Sequence, residues 1–348
     1  MTGTDKVQLE KVIVHKVGNP TRGEQLVLSK MPLTLNDERV QQLLTKYFLN
    51  AFNEHEQFRF HHLSDVGMNE VYSFANEIFT NGAAFAPYSA LIAQFLYGKS
   101  THARVKEGEL YVALMQDVPF ENDFVTALGI FKSESKESFL KVFTHGQNIE
   151  VAAEEGVNIS KPDKGCLILR TQEGDGYRVL VVDHTNKNND AQYWVQDFLQ
   201  VAPVANEYRH THEFLQLCRD FATGEMPEKF EVNKQEQIEM MQRSLDYFKT
   251  KEQFDYNEFT QEVIHHPEVI EQFAQFRDQY AQARQVEWDE SFDIDLAAVK
   301  KQGRVFKSVL KLDKNFHIYI HGRRDLIERG YDAEKGKHYY KVYFEEEQ

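Results

Sequence analysis

The sequence predicts an α+β protein, with an N-terminal mixed domain of antiparallel sheet and helices and a C-terminal helical array that ends in a small basic antiparallel sheet. In the first half of the chain, short runs rich in Val, Leu and Phe are joined by short polar connections. Such connections form hairpins, whereas parallel strands need long crossovers. Apolar residues recur at helical spacing on either side of these runs. The predicted central strands are 109–115, 124–131, 138–144, 165–170 and 177–183.

Local patterns predict the elements that precede these strands. Two strand-like runs around Val12 and Leu26 flank a turn that contains Gly and Pro. A helix follows, with Asn36 as its predicted N-cap and one continuous apolar stripe. Two more helices are predicted at 68–80 and 87–97. The stripe of the first helix consists of Val40, Leu43, Leu44, Tyr47, Phe48 and Ala51.

Chain length and a change of pattern predict two domains, 1–202 and 203–348. A chain of 348 residues exceeds the size at which a single core keeps growing. From about residue 206 to residue 283 the apolar residues follow helical spacing, whereas strand patterns dominate the residues before this stretch. The second domain is therefore predicted to combine a helical array with a basic β segment at 300–344.

Composition restricts the class of protein. Hydrophobic residues make up 41% of the chain, which is ample for folded cores, and the formal net charge is −15. No apolar run approaches the ~20 residues that span a bilayer, and the N-terminus lacks a signal-peptide pattern. Cys166 and Cys218 are the only cysteines, so no disulfide framework is predicted. We expect a cytoplasmic protein without a membrane segment.

Residues 299–341 reverse the charge of the chain. They contain twelve Lys and Arg against five Asp and Glu, a net charge of +7, which leaves −22 on the remainder. Clustered cations on an acidic protein are suited to a polyanion such as the phosphate backbone of nucleic acid. The same cations are also compatible with an intramolecular contact to the acidic part of the chain.

The basic segment is predicted to form strands, because apolar and polar residues alternate in 304–312, 315–321 and 338–344. If these three strands form one sheet, Lys307, Lys311 and Lys341 share its solvent-facing side. Arg323 and Arg324 would then lie at its rim. The predicted DNA contacts are Lys300, Lys301, Arg304, Lys307, Lys311, Arg323, Arg324 and Lys341. The alternative is a solvated face whose charges protect strand edges and keep the protein soluble.

No motif predicts catalysis, a metal site or a cofactor. Gly-rich phosphate loops, HExxH and paired CxxC are absent from the sequence. A Cys–His pair can make a nucleophile, but Cys166 begins an apolar run and His184 ends a strand, where polar residues are expected anyway. The histidines at 210 and 212 point apart on a helix. We therefore expect a non-enzymatic protein.

Seven segments spread along the chain carry a family resemblance: VIVHKVGN (12–19), LVLS (26–29), YWVQDFL (193–199), CRDF (218–221), FKS (306–308), LDKNFHI (312–318) and YYKVYF (339–344). Together and in this order they resemble the bacterial nucleoid-associated proteins of the NdpA type. The resemblance implies a cytoplasmic, non-enzymatic protein of the nucleoid that binds DNA directly or through partners. The resemblance supplies no catalytic residues. The chain is strongly acidic outside the last segment, so we do not expect DNA to wrap over the whole protein surface.

Two functions remain open at this point. In the first, the basic segment binds DNA phosphates with little sequence readout, and contact with about four phosphates would weaken binding on the order of a hundredfold between 50 and 200 mM salt. In the second, the acidic part of the chain contacts basic nucleoid proteins, or occupies a DNA-binding groove as an acidic decoy. The aromatic content permits a homodimer interface but does not locate one.

Overall fold

The computed structural model describes residues 6–160, 162–171, 176–185, 193–284, 286–304, 308–312, 316–320 and 326–346. The chain divides into two compact units, Met1–Val204 and Ala205–Gln348. The predicted α+β class is confirmed, since the first unit holds an antiparallel sheet with helices and the second holds helices followed by small antiparallel hairpins. No described helix is both long and apolar enough to cross a membrane.

An eight-stranded antiparallel sheet forms the centre of the first unit. The strands of this unit are β1 (Gln8–Val17), β2 (Leu26–Val27), β3 (Gln57–Phe60), β4 (Gly108–Phe120), β5 (Asp123–Ser133), β6 (Glu137–His145), β7 (Asn148–Gly156), β8 (Lys164–Leu169), β9 (Arg178–Asp183) and β10 (Val201–Pro203). The sheet has the order β10-β3-β9-β8-β5-β4-β1-β2, and β6 pairs with β7 in a separate hairpin. All five predicted central strands are present and antiparallel, while β7 was not predicted.

Helices cover both faces of this sheet. The helices are α1 (Glu38–Leu49), α2 (Glu70–Thr80) and α3 (Phe85–Lys99), and a π-helical turn spans Tyr193–Leu199. Adjacent residues of β1 show the two faces: Val12 lies in the core cluster under α1, and Ile13 lies in the cluster under α2 and α3. Both side chains are fully buried. Strand alternation therefore builds two cores on one sheet.

The first helix differs from its prediction in two respects. Its N-cap is Asp37 rather than Asn36, because the Asp37 carboxylate accepts the backbone N–H groups of Arg39 and Val40. The apolar stripe is buried only at its C-terminal end, where Tyr47 and Phe48 lie in the core. Val40 is exposed. The stripe runs along the helix, but only the end of the helix contacts the sheet.

The second unit is a helical array around an aromatic core. Phe214 and Phe254 have ring centroids 4.3 Å apart, and Phe248 stacks on Phe254. Aromatic packing of this kind contributes most of the buried area of such a core. The elements are α4 (Glu207–Asp220), α5 (Met226–Lys229), α6 (Lys234–Thr250), β11 (Gln253–Asp255), α7 (Tyr256–Phe259), α8 (Pro267–Arg284), β12 (Ser291–Asp293) and α9 (Leu296–Gly303).

The basic segment forms antiparallel sheet structure, as predicted, in small two-stranded units. Its described strands are β13 (Ser308–Leu312), β14 (Phe316–Ile320), β15 (Ile327–Asp332) and β16 (Lys337–Val342). These four strands make two separate hairpins, β13–β14 and β15–β16. Among the described strands, 304–312, 315–321 and 338–344 do not combine into one sheet, because β15, which was not predicted, pairs with β16. The start of the segment is also helical, since α9 contains Lys300 and Lys301.

Candidate nucleic-acid interface

Helix α9 is fixed to the second unit by its N-cap and by one buried face. The Asp295 carboxylate accepts the N–H of Ala298 at 2.8 Å, and the Asp295 N–H donates to the Thr211 hydroxyl at 3.0 Å. Ala298 and Val299 are buried, as is Gln302 one turn later. The opposite face of this short helix is therefore held towards solvent.

Three cations lie on that opposite face. Lys300, Lys301 and Arg304 are all exposed, and their spacing of one, three and four residues keeps them together on a helix surface. We call these residues the α9 cation cluster. The cluster lies at the helix C-terminus, where the helix dipole favours positive charge. The Lys301 Nζ is 5.7 Å from the centroid of the Tyr208 ring, a cation–π contact with α4.

Carboxylates do not neutralise the whole α9 cation cluster. Within the described ranges, neither Lys300 nor Arg304 forms an ion pair with Asp or Glu. An unpaired exposed cation keeps its full attraction for an external anion, since it loses no partner on binding. Among the described members of the predicted set, the cluster thus places the most cations on one exposed surface.

The last hairpin carries cations that already have acidic neighbours. Lys341 is paired across the strands with Glu328, and the Tyr343 hydroxyl donates to Glu328 at 2.9 Å. The Lys341 Nζ is also 4.7 Å from the Tyr343 ring centroid, and a hydrogen bond with the Tyr343 hydroxyl raises the pKa of Lys341 above its ordinary value. Lys335 lies 3.5 Å from Asp332. Residues 326–346, which contain this hairpin, hold four basic and five acidic residues, so this segment carries no net positive charge.

The structure thus brings together only part of the predicted set. Lys300, Lys301 and Arg304 form one cluster, while Lys341 lies on a different hairpin from Lys311, so the two lysines do not share one sheet. Lys311 is in β13, in register with His317. Its side chain lies outside the described residues, and so do Lys307, Arg323 and Arg324 entirely.

The possible nucleophile has the surroundings of a structural thiol. Cys166 is fully buried, and burial raises the pKa of its thiol far above the ordinary value, so the reactive thiolate is not populated at neutral pH. The His184 Nδ1–H donates to the Pro162 carbonyl at 2.7 Å. In the part of the chain that the structure describes, no three or more His, Cys, Asp or Glu residues are grouped as metal ligands.

Sequence reasoning missed a buried charged network in the first unit. Lys132 is completely buried and lies 3.1 Å from the Glu134 carboxylate, which also accepts the Tyr193 hydroxyl at 3.0 Å. In register beside Lys132, Lys164 is buried and pairs with Asp183 at 2.7 Å. Lysine is seldom buried without such partners. Nothing in the sequence marks these two lysines, because only strand register places them in the core.

Comparison with known proteins agrees with the resemblance. A search of curated proteins gives no match. A family model described as nucleoid-associated protein YejK matches residues 13–337, which cover both units. Because the match extends over most of the chain, the predicted relationship to nucleoid-associated proteins is confirmed. The family implies a location at the bacterial nucleoid. This chain belongs to the family of nucleoid-associated proteins described by that model.

Proposed function

We propose that this protein binds DNA directly, without catalysis and largely without sequence specificity, through cations in and after α9. The observation that carries the proposal is the α9 cation cluster, in which Lys300, Lys301 and Arg304 are exposed together at the end of an anchored helix. Phosphate oxygens are the DNA groups that such cations contact, and phosphates carry no sequence information. The remaining members of the proposed contact set are Lys307, Lys311, Arg323, Arg324 and Lys341.

Charge distribution supports contact over a limited surface. The chain outside residues 299–341 carries −22, so most of the protein repels a duplex. Residues 326–346, which contain the β15–β16 hairpin, add no net positive charge, and Lys341 and Lys335 lie beside Glu328 and Asp332. Contact is therefore concentrated at α9 and the hairpin that follows it. Neutralising three phosphates there gives a salt slope of about −2.7, or an affinity loss of roughly fortyfold between 50 and 200 mM salt.

A triple charge reversal tests the proposal: Lys300→Glu, Lys301→Glu and Arg304→Glu. We expect this variant to stay folded, because all three side chains are exposed, and to lose retention of duplex DNA in a gel-shift assay at low salt. The matched control is Lys30→Glu, Arg39→Glu and Lys46→Glu in the first unit, where all three side chains are also exposed. Each triple variant changes the formal charge by −6, from −15 to −21.

The two variants separate a local contact from general repulsion. Loss of binding in the α9 variant together with near-normal binding in the control supports direct contact at α9. Equal losses in both variants would show that only total charge matters, and unchanged binding by a folded α9 variant would show that its cations are a solvated face. Binding that does not weaken between 50 and 200 mM salt would also contradict phosphate contact.

The second candidate function is recruitment to the nucleoid by other proteins, with the acidic part of the chain as the contact surface. It is favoured by the −22 carried outside the basic segment and by the lack of net positive charge in residues 326–346. A pull-down from nuclease-treated lysate tests it. Nucleoid proteins retained without DNA support recruitment, whereas loss of all nucleoid material after nuclease treatment supports direct DNA binding.

A further inference from the structure

The β6–β7 hairpin is a long arm whose two strands pair only with each other within the described residues. Every residue of β6 is exposed, and so are seven of the nine residues of β7. A two-stranded hairpin is marginally stable in water without something packed against it. The arm therefore has the properties of an element that completes its packing on a partner.

One side of the arm is an uncharged aliphatic surface. Cross-strand partners point to the same side, so the pairs Leu140–Ala153, Val142–Val151 and Thr144–Ile149 share one face. We call these six residues the aliphatic face. Its four large members are mostly exposed, at 73% for Leu140, 64% for Val142, 77% for Ile149 and 60% for Val151.

Charges of the arm are collected on the opposite side. There Lys141 pairs with Glu154 at 2.9 Å, and His145 lies 3.0 Å from Glu150. On the side of the aliphatic face the only charged residue is Glu155, near the root. An apolar surface that binds a basic partner would be surrounded by carboxylates that pair with the partner's cations. The aliphatic face has no such surrounding carboxylates. Its chemistry fits another uncharged aliphatic surface.

The root of the arm is firmly held, so the aliphatic face is presented from a fixed base. The Asp163 carboxylate accepts the N–H groups of Glu134 and Ser135, both at 2.7 Å. Val157 and Ile159 are packed against the core under α1. The exposure of the face is thus a property of a built element and not of a loose end of the chain.

We propose that the aliphatic face is a self-association surface, with a second copy of this chain as its occupant. The same uncharged surface on another copy is complementary to it by two-fold symmetry, as in isologous dimers. The exposed fractions correspond to roughly 400–500 Å² of apolar surface on each arm. Two arms then bury about 900 Å², more than most crystal contacts but less than a standard permanent interface. The dimer is therefore reversible.

The oligomeric state of the full-length protein tests this proposal. We expect light scattering to give a mass that rises with concentration from about 1 to 100 μM towards twice the chain mass of 40.7 kDa. Val142→Glu places a charge at the centre of the aliphatic face and should weaken the dimer about a hundredfold. The matched control Ala152→Glu adds the same charge to the opposite face, beside Lys141, and should dimerise normally.

Cross-linking provides a second measurement that does not depend on a destabilising charge. Both native cysteines are buried, so Val142→Cys introduces the one exposed thiol of a described residue, and Lys141→Cys does the same on the other face. A short bis-maleimide should link Val142→Cys protein into dimers, and Lys141→Cys protein poorly. A monomeric wild type at 100 μM, or equal behaviour of the two faces in both assays, would overturn the proposal. These assays contain no DNA, so their outcome is independent of the proposed function.

Discussion

Replacing Glu134 by Gln should strongly destabilise the first unit. Lys132 is fully buried, and its Nζ has two oxygen partners, the Glu134 carboxylate at 3.1 Å and the Lys106 carbonyl at 2.8 Å. A glutamine amide at this position would keep the shape of the side chain and could still accept the Tyr193 hydroxyl. The substitution therefore removes the negative charge that compensates Lys132 and changes little else.

Two estimates limit the expected loss in the free energy of unfolding. Removing one partner of a buried ion pair costs about 3–5 kcal/mol when the other stays charged. Lys132 can instead lose its proton, which costs about 1.4 kcal/mol for each pH unit below its ordinary pKa of 10.5, or about 4.8 kcal/mol at pH 7 and about 2 kcal/mol at pH 9. We expect a loss of about 3–5 kcal/mol at pH 7 that shrinks to about 2 kcal/mol at pH 9.

The sign of this pH dependence follows from the direction of the pKa shift. Burial lowers the pKa of Lys132 in the folded protein, while the Glu134 charge opposes that decrease. In the window below pH 10.5 the unfolded chain then binds more protons than the folded protein, so the free energy of unfolding rises with pH. Without the Glu134 charge the pKa falls further and the window extends to lower pH.

Urea unfolding at pH 7 and pH 9 measures the effect, with Trp194 as the probe in a Trp288→Phe background. Trp194 is fully buried in the first unit and reports on it alone in that background. The double variant Lys132→Met with Glu134→Gln should recover most of the loss, because no unpaired charge remains. A loss below about 1 kcal/mol that is equal at both pH values would refute this reasoning.

Two further predictions concern the core of the first unit. The Ser29 N–H donates to the buried His15 Nδ1, and burial lowers the His15 pKa, so stability should fall below pH 6.5 by at most about 2 kcal/mol down to pH 5. Urea unfolding at both pH values should show this loss, and His15→Asn should remove it. Phe131 stacks on Phe48 with centroids 4.5 Å apart, and Phe131→Ala should lower the unfolding free energy by about 3–5 kcal/mol. The control Leu63→Ala, at a 96% exposed side chain, should change it by less than about 0.5 kcal/mol.

Short connections and apolar runs were sufficient to predict most of the sheet. Strand β5 was predicted from its run of apolar residues, and the antiparallel pairing predicted for the central strands is confirmed, with β8 as one partner of β5. The first helix was predicted from its stripe, yet the stripe could not show that only the end near Tyr47 and Phe48 is buried. Amphipathic spacing identifies the face of a helix that can pack, while tertiary contacts decide how much of it does.

Alternation also predicted the strands of the basic segment but not their partners. Strand β15 contains Gly330 and two charged residues before its end, so it lacks the apolar alternation that marks β16. In the structure Tyr339 covers Gly330, where a Cβ atom would meet the tyrosine ring at 2.2 Å. A glycine that weakens the sequence pattern thus leaves room for the Tyr339 ring across the hairpin.

Register information, which a single sequence lacks, accounts for the features that were missed. Lys132 and Lys164 are paired across β5 and β8, and that pairing places both cations in the core near their carboxylates. The aliphatic face likewise emerges only when β7 is aligned with β6. One residue of slip would mix the aliphatic and charged sides, because strand side chains alternate with period two.

Self-association and DNA contact would reinforce each other. The α9 cation cluster reaches few phosphates, and the acidic remainder of the chain opposes a larger footprint, so one copy should bind DNA weakly. Two copies joined through their arms hold two such clusters, and the second contact becomes intramolecular. A dimer that engages both clusters should show a salt slope of about −5.4, against about −2.7 for Val142→Glu protein. Equal slopes for the two proteins would mean that the dimer uses only one cluster at a time.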